Sequence, residues 1–273
     1  MATSIALSAA IRANLLSLQG TQELIARTQN RLSTGLRVAS PLDDGRAFFE
    51  AKSLNDRAFD ISEKKDGIDQ AISAVKVALD AAEAIDSIVK QMKGLAISAR
   101  TATGNELTEI VNQFNELRSQ VDAVTTDSVY QGVTLVNGTT SSLTVEFGTD
   151  STSALTINGV DLRVLSGGLN ISSAAGFSVA ANIDSALIQL DAAVSELRGH
   201  AQSLGSRVAL LQTRLAFTKS YVNNLEEGAG KLTIADVNEE GANLVALQTR
   251  QQLGMSALAF AGQAEQAILQ LFR

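Results

Sequence analysis

The chain has 273 residues, with 29 acidic and 22 basic side chains, a formal net charge of -7, one proline, one histidine and neither cysteine nor tryptophan. That composition leaves no disulfide framework, no thiolate metal site and no multi-histidine metal site, and the acidic balance with only 4% aromatics argues against a nucleic-acid surface. No run of 18 apolar residues occurs, so no helix is expected to insert into a membrane.

The first ten residues lack the basic side chains that open a secretory signal, and Arg12 interrupts the apolar run, so any route out of the cell is expected to be a different one. Ile11, Leu15, Leu18, Ile25 and Leu32 then occupy one heptad face, with Gln22 and Gln29 in the same row. Gly35, Ser40, Pro41, Asp43, Asp44 and Gly45 predict a loop. A second helical stripe, Ile68, Ile72, Val75, Leu79, Ala82, Ile85, Val89 and Met92, runs on to about Thr101. Gly104-Asn105 breaks it, and Asn105 is expected to cap the next helix, whose stripe is Leu107, Ile110, Phe114, Val121 and Val124.

Around Tyr130 the period shifts from 3.6 towards 2, and Leu143, Val145 and Phe147 alternate with Thr144 and Glu146. Leu155 to Leu162 alternates around Asn158-Gly159, which predicts a hairpin with a type I′ turn at that dipeptide. Residues 164–183 carry no charge and read as an irregular connector. From Ile183 a ladder with steps of four and three runs through Leu187, Leu190, Val194, Leu197, Ala201, Leu204, Val208, Leu211, Leu215, Thr218 and Val222 to Leu225. It puts one seam along a helix about 65 Å long at 1.5 Å per residue. Gly228-Ala-Gly230 is expected to end that helix, and a last one is expected from about Ala235 to Phe272.

The fold class that follows is mainly α: a long antiparallel helical bundle or coiled coil, its N- and C-terminal helices paired, with a small β-hairpin region in the middle. The last helix is apolar on more than one side. Leu244, Leu247, Leu258 and Ile268 form one row, and Leu253, Phe260, Ala264 and Leu271 another. The first helix covers only one of these rows, and the other is expected to need further chains.

Motifs for chemistry fail on inspection. His200 lies one residue off the seam with no nucleophile in its pattern. Gly228-Ala-Gly230-Lys231 lacks both the earlier glycine and the following hydroxyl of a phosphate loop. Asp236-Val-Asn238 opens like a calcium loop, but the twelfth position is Leu247, so the segment reads as a helix start. Asn137-Gly-Thr139 and Asn170-Ile-Ser172 match a short glycosylation pattern that is common by chance. Asp43-Asp44 reads as a solvated loop or as partners for Arg31 or Arg37 in another subunit. No catalytic, cofactor-binding or metal residue is expected.

Arg31-Leu-Ser-Thr-Gly35-Leu-Arg37-Val-Ala-Ser40-Pro-Leu-Asp43-Asp44 resembles the N-terminal signature of bacterial flagellins. Phe114-Asn-Glu-Leu-Arg118, Val121-Asp122 and Tyr130-Gln-Gly132-Val-Thr-Leu135 are similar to the flagellin segment that leads into its β region. Leu204-Gly205-Ser-Arg-Val208, Asn223-Asn224-Leu225, Ile234-Ala-Asp236 and Gln251-Gln252-Leu253-Gly254 resemble its C-terminal half. The resemblance implies a filament subunit with a discontinuous terminal domain, 1–42 and 235–273, and a rod, 43–234. The rod would hold helices at 45–101, 105–128 and 180–226 and a β region at 133–165, with almost no outer-domain insertion. It implies that Ile11, Leu15, Leu18, Ile25, Leu32, Leu244, Leu247, Leu253, Leu258, Phe260, Ile268 and Leu271 serve self-assembly.

The resemblance further implies export through the flagellar type III apparatus without a cleaved signal, with an export chaperone. It implies an extracellular filament that meets cap and hook-junction proteins, and no cofactor, nucleic acid or membrane insertion. The chain departs from the family at Val237-Asn-Glu-Glu-Gly241, where an acidic-alanine run is more common, and at Gln91, where an arginine is usual in the stretch that innate immune receptors recognise. An amide cannot replace a bidentate guanidinium, so weak receptor activation is expected. Rival readings are a filament–hook junction protein of the same family, a signalling coiled coil and a helical-scaffold enzyme.

Overall fold

A computed structural model describes residues 9–150 and 152–271, with side chains from 11 to 150, 152 to 264 and at 266–267. The elements in order are α1 (Ala9–Thr34), α2 (Gly45–Ala99), α3 (Asn105–Asp127), β1 (Ser142–Glu146), β2 (Ala154–Asn158), a short 3-10 turn (Ala174–Gly176), α4 (Ala180–Thr233) and α5 (Val237–Leu271). The chain is mainly α with one small antiparallel sheet. Contacts divide it into an end unit, Met1–Asp56 with Asn224–Arg273, and a middle unit, Arg57–Asn223.

Helix ends follow local chemistry. α1 stops at Gly35, whose φ of 70° suits a residue without Cβ and whose N–H donates to the Arg31 carbonyl at 2.8 Å. Asp44 caps α2 by accepting the Ala47 N–H at 3.0 Å. Asp43 closes the loop around Pro41, its Oδ2 accepting from the Ala39 and Ser40 N–H groups and the Ser40 hydroxyl. Asp236 caps α5 through the N–H groups of Asn238 and Glu239, and Glu239 and Glu240 lie in the first turn, where a helix favours negative charge. α3 differs from the expected start. Gly104, at φ 60°, holds the cap position, Asn105 is already helical, and no side chain caps the turn.

The middle unit is built around α2, α3 and α4. Ile68, Val75, Ile85, Val89 and Met92 of α2 share one core with Phe114 and Val121 of α3 and with Leu190, Leu197 and Leu211 of α4. Arg100 pairs with Asp184, and Lys93, one heptad earlier, with Asp191, one heptad later, so α2 and α4 run antiparallel. On α4 the ladder residues Ile183, Leu190, Val194, Leu197, Leu204, Val208, Leu211, Thr218 and Val222 are buried. Leu187, Leu215 and Leu225 are half-buried.

The hairpin pairs β1 with β2 from Ser142↔Asn158 to Glu146↔Ala154. Val145 and Ile157 face the core, while Thr144 and Thr156 meet on the outer face at 3.3 Å. Lys64 pairs with Glu146, and the Arg214 guanidinium sits 4.7 Å over the Phe147 ring. The connection between the strands runs through 147–153, so Asn158-Gly159 is not the turn that its sequence suggests. It ends β2. Gly159 is needed there because a Cβ would lie 2.8 Å from the Gly138 carbonyl oxygen and 2.9 Å from that of Ser141.

The uncharged connector after β2 lacks sheet partners, and α3 supplies substitutes. Asp122 Oδ1 accepts the Val164 N–H at 3.0 Å, Arg118 donates to the Ile171 carbonyl at 2.9 Å, and Asn115 Oδ1 accepts the Ala174 N–H at 3.1 Å. These three side chains lie at i, i+3 and i+7 on one face of α3. They satisfy main-chain groups of residues that are themselves fully buried. Phe177 packs edge-on against Phe114, centroids 5.1 Å apart.

α4 also departs from expectation at its end. The helix passes through Gly228 and Gly230 and stops at Thr233. In the end unit Ala229 is buried, and a Cβ on Gly228 would already touch Leu54 at 3.5 Å. Packing of that face offsets the roughly 1 kcal/mol that each helical glycine costs.

Candidate assembly surface

In the end unit α1 and α5 pair along their lengths. Arg31 meets Glu240 at 2.8 Å, Gln22 meets Gln251 at 2.6 Å, and Leu18 packs over Gly254, where a Cβ would come within 2.7 Å of a Leu18 methyl. Falling numbers on one helix match rising numbers on the other, so the pair is antiparallel. The Glu240 carboxylate is almost fully buried, and Arg31 completes it. Such a pair contributes register more dependably than net stability.

Between the helices and the rest of the unit a clasp forms. Leu36 and Ile234 make an isolated antiparallel bridge. The Arg37 N–H donates to the Thr233 carbonyl at 2.7 Å, the Ala235 N–H to the Gly35 carbonyl at 2.9 Å, and the Arg37 guanidinium to the Leu232 carbonyl at 2.9 Å. Asp43 and Asp44, read from sequence as a solvated loop or as partners for Arg31 or Arg37 in another subunit, and the two arginines all make bonds within the chain. Each arginine reaches the C-terminal segment, and each aspartate holds backbone N–H groups. Asp43 has its carboxyl held below the ordinary value, chiefly by the hydrogen bond from the Ser40 backbone.

The apolar residues expected to serve assembly fall into two groups. Ile11 and Ile25 are buried, and Leu18, Leu32, Leu244, Leu247 and Leu258 are half-buried. Leu15, Leu253 and Phe260 are exposed, with Phe260 70% and Leu253 66% accessible. Ile268 and Leu271 lie outside the described side chains. Leu16, Leu24, Val245 and Met255 are also exposed in the same unit, and they lie off the heptad rows, which is why periodicity does not single them out. The available signal was composition: α5 is apolar in nearly every direction, so its exposed residues do not gather into one periodic stripe.

The middle unit carries its own exposed apolar residues, including Phe59, Ile97, Ile188, Leu210 and Phe217. Phe217 stacks on Tyr221 at 6.0 Å, and the Arg57 guanidinium lies 5.8 Å from the Tyr221 ring. His200 is half-buried on α4, 3.5 Å from Glu196 one turn earlier. On α2, Gln91 is exposed, and the flanking Lys90 and Lys93 are paired with Asp86 and Asp191.

Two family descriptions match in order: the bacterial flagellin N-terminal helical region over residues 5–141, and the bacterial flagellin C-terminal helical region over residues 181–272. Flagellin FljO of Caulobacter vibrioides is 33% identical, the alignment covering 95% of this chain and 94% of that one. Flagellin FljK of the same bacterium is 31% identical with the same coverage, and the flagellin of Brucella melitensis is 29% identical over the full length of both chains. A solved structure described as flagellar hook-associated, from Vibrio parahaemolyticus, shares the fold with a TM-score of 0.58 at 13% identity, over 70% of this chain and all of that one. Relatedness along almost the whole chain, together with antiparallel end helices that leave much of α5 uncovered, leads to one conclusion: the chain belongs to the bacterial flagellins, a family of structural proteins that form the flagellar filament.

Proposed function

We propose that this chain is the polymerising subunit of the filament used for swimming, and that its terminal helices complete their folding by packing on other copies. The observation that carries the reading is the uncovered apolar surface of α5 after α1 is in place: Val245, Leu253, Met255 and Phe260. Covering four such side chains yields on the order of 6–12 kcal/mol at about 1.5–3 kcal/mol each. Bringing two proteins together costs about 4–15 kcal/mol, so one such contact is marginal and a lattice of repeated contacts is needed. Head-to-tail contacts between such surfaces, repeated from copy to copy, generate open helical polymers.

Residues 1–42 and 235–273 are assigned to the inner core of the polymer and 43–234 to the rod. The helix breaks at 35–44 and 234–236 support boundaries at those places. Export through the flagellar type III apparatus, with a chaperone, delivers the chain outside the cell, where it meets the cap and hook-junction proteins. Among the described residues no helix is long and apolar enough to cross a membrane. Exposed Gln91 between two ion-paired lysines supports weak activation of innate immune receptors. A cell reporter should respond far less than to a strongly recognised flagellin, and equal potency would overturn that part.

Seeding tests the main reading. Purified chain added to its own filament fragments should elongate without limit, whereas a filament–hook junction protein of the same family would stop after a short zone. Removing the residues after Leu244 should abolish elongation and leave the middle unit helical. Undiminished growth of the truncated chain would sink the proposal. In dilute subunit, a protease should cut α1 and α5 before the middle unit.

A further inference from the structure

The chain contains two Asn-Gly dipeptides, Asn137-Gly138 and Asn158-Gly159, and the fold brings both to one crossing in the middle unit. Asn137 faces Asp161 in an isolated antiparallel bridge. The Gly138 N–H donates to the Val160 carbonyl at 3.1 Å, and the Gly159 N–H to the Ser141 carbonyl at 2.7 Å. Val160 and Leu162 donate to the Leu135 and Val136 carbonyls at 2.8 and 3.0 Å. Both glycines are buried, Asn137 is half-buried and Asn158 is exposed.

Asparagine before glycine is prone to a reaction with itself. With no Cβ on the glycine to obstruct it, the glycine backbone nitrogen reaches the asparagine side-chain amide carbon. A new N–C bond forms, the nitrogen gives up its proton, and the side-chain amino group departs as ammonia, leaving a five-membered imide. Water then opens the ring at either carbonyl, giving aspartate or its isoaspartyl isomer. One water enters, one ammonia leaves, and nothing is oxidised or reduced.

We propose that Asn137 and Asn158 are deamidation sites that the folded crossing holds closed, and that a chain kept unfolded acquires acid and isoaspartyl forms there that the crossing rejects. The attacking nitrogen at each site is the one that donates to the opposite segment of the crossing in the fold. Reaction from the folded state needs that bond to open and the extended backbone to bend back, so the rate follows the population of a local opening. The product is not tolerated where it forms. An isoaspartyl link at 158 adds a methylene to the main chain between fully buried Ile157 and Gly159, a position with no room even for a Cβ. It moves the Gly159 and Val160 N–H groups away from Ser141 and Leu135. At 137 the new carboxylate arises opposite Asp161, whose own carboxylate is already held by Arg163 at 2.6–2.8 Å.

The test holds the full chain in warm, mildly alkaline buffer in two forms, folded and dissolved in guanidinium chloride. Peptide mass spectrometry reads acid at 137 and 158, and enzymatic methylation reads the isoaspartyl form. The unfolded sample should convert at both sites at least about tenfold faster than the folded one. After removal of denaturant, the aged chain should lose hydrogen-exchange protection at Gly159 and Val160. Asn137→Gln/Asn158→Gln, aged alike, should regain the protection of its own fresh sample, and Asn137→Ser/Asn158→Ser serves if the first variant folds poorly. Equal conversion in folded and unfolded chain would overturn the proposal. So would full recovery of Gly159 protection in an aged, converted chain.

Discussion

Replacing Asp122 with alanine tests whether α3 stands in for the missing strand partners of the connector. Its Oδ1 accepts the N–H of Val164, a residue only 2% exposed. Truncation leaves that N–H, on a buried residue, without its partner. An unsatisfied buried amide costs about 1–3 kcal/mol, and a hydrogen bond to a charged group contributes about 1.5–3 kcal/mol. The expected loss for Asp122→Ala is therefore about 2–3 kcal/mol. Asp122→Asn keeps an oxygen in place and loses only the charge, so it should cost roughly half as much. Urea unfolding of the full chain, followed by circular dichroism, reads the difference as a lower midpoint at unchanged slope. Hydrogen exchange at Val164 should accelerate in the alanine variant. If Asp122→Ala falls within about 0.5 kcal/mol of the parent, the value usual for an uninvolved surface change, α3 does not stand in for the missing strand partners. The same follows if the asparagine variant is as damaged as the alanine one.

Gln131 sits at φ 48° in a tight turn whose ends, Tyr130 and Val133, exchange two backbone hydrogen bonds. Gln131→Asn, which tolerates that conformation better, should raise the melting temperature by a few degrees, about 0.5–1 kcal/mol. Lys93→Asp should cost less than about 1 kcal/mol because the pair with Asp191 is exposed, and adding Asp191→Lys should restore the parent midpoint in a double-mutant cycle. Gly254→Val should slow or abolish polymerisation in a turbidity assay, because the new side chain enters space that Leu18 fills, and Leu18→Ala in the same chain should partly rescue it. The Asp161 carboxyl is held below its ordinary value of 3.8 chiefly by the hydrogen bond from Arg163, and that of Glu146 below 4.5 by the hydrogen bond from Lys64. Lowered carboxyls stabilise the fold above their unfolded values and lose that effect as they take up protons. Thermal stability should therefore be level near neutrality and fall as pH drops below about 4, and Arg163→Gln should flatten that fall.

The long elements were readable because their signal is local and repeated. The α4 ladder needs only its spacing to declare a buried face, and Ile183, Leu190, Leu197, Leu204 and Leu211 are buried. The cap at Asp236 also depends on near neighbours and follows from residue type and position, whereas Asp44, read as a loop residue or a partner for arginine, caps α2. The exposed set on α5 was half read, since periodicity identifies a face and does not say which of several faces a single partner will cover. Gln22 and Gln251 meet across 229 positions, a pairing that no local pattern encodes.

Sequence alone determined that this chain builds long helices around a short β segment and that its last helix is too apolar to be satisfied by one neighbour. Tertiary structure alone decided what the glycines do. Asn158-Gly159 has the composition of a hairpin turn, yet β2 pairs backwards with β1, and Gly159 serves close approach to the 138–141 backbone. Gly228 and Gly230 have the composition of a helix break, yet α4 continues through them because the buried face at Ala229 outweighs their conformational freedom. A glycine permits several backbone states at little difference in energy, so packing against distant segments selects among them.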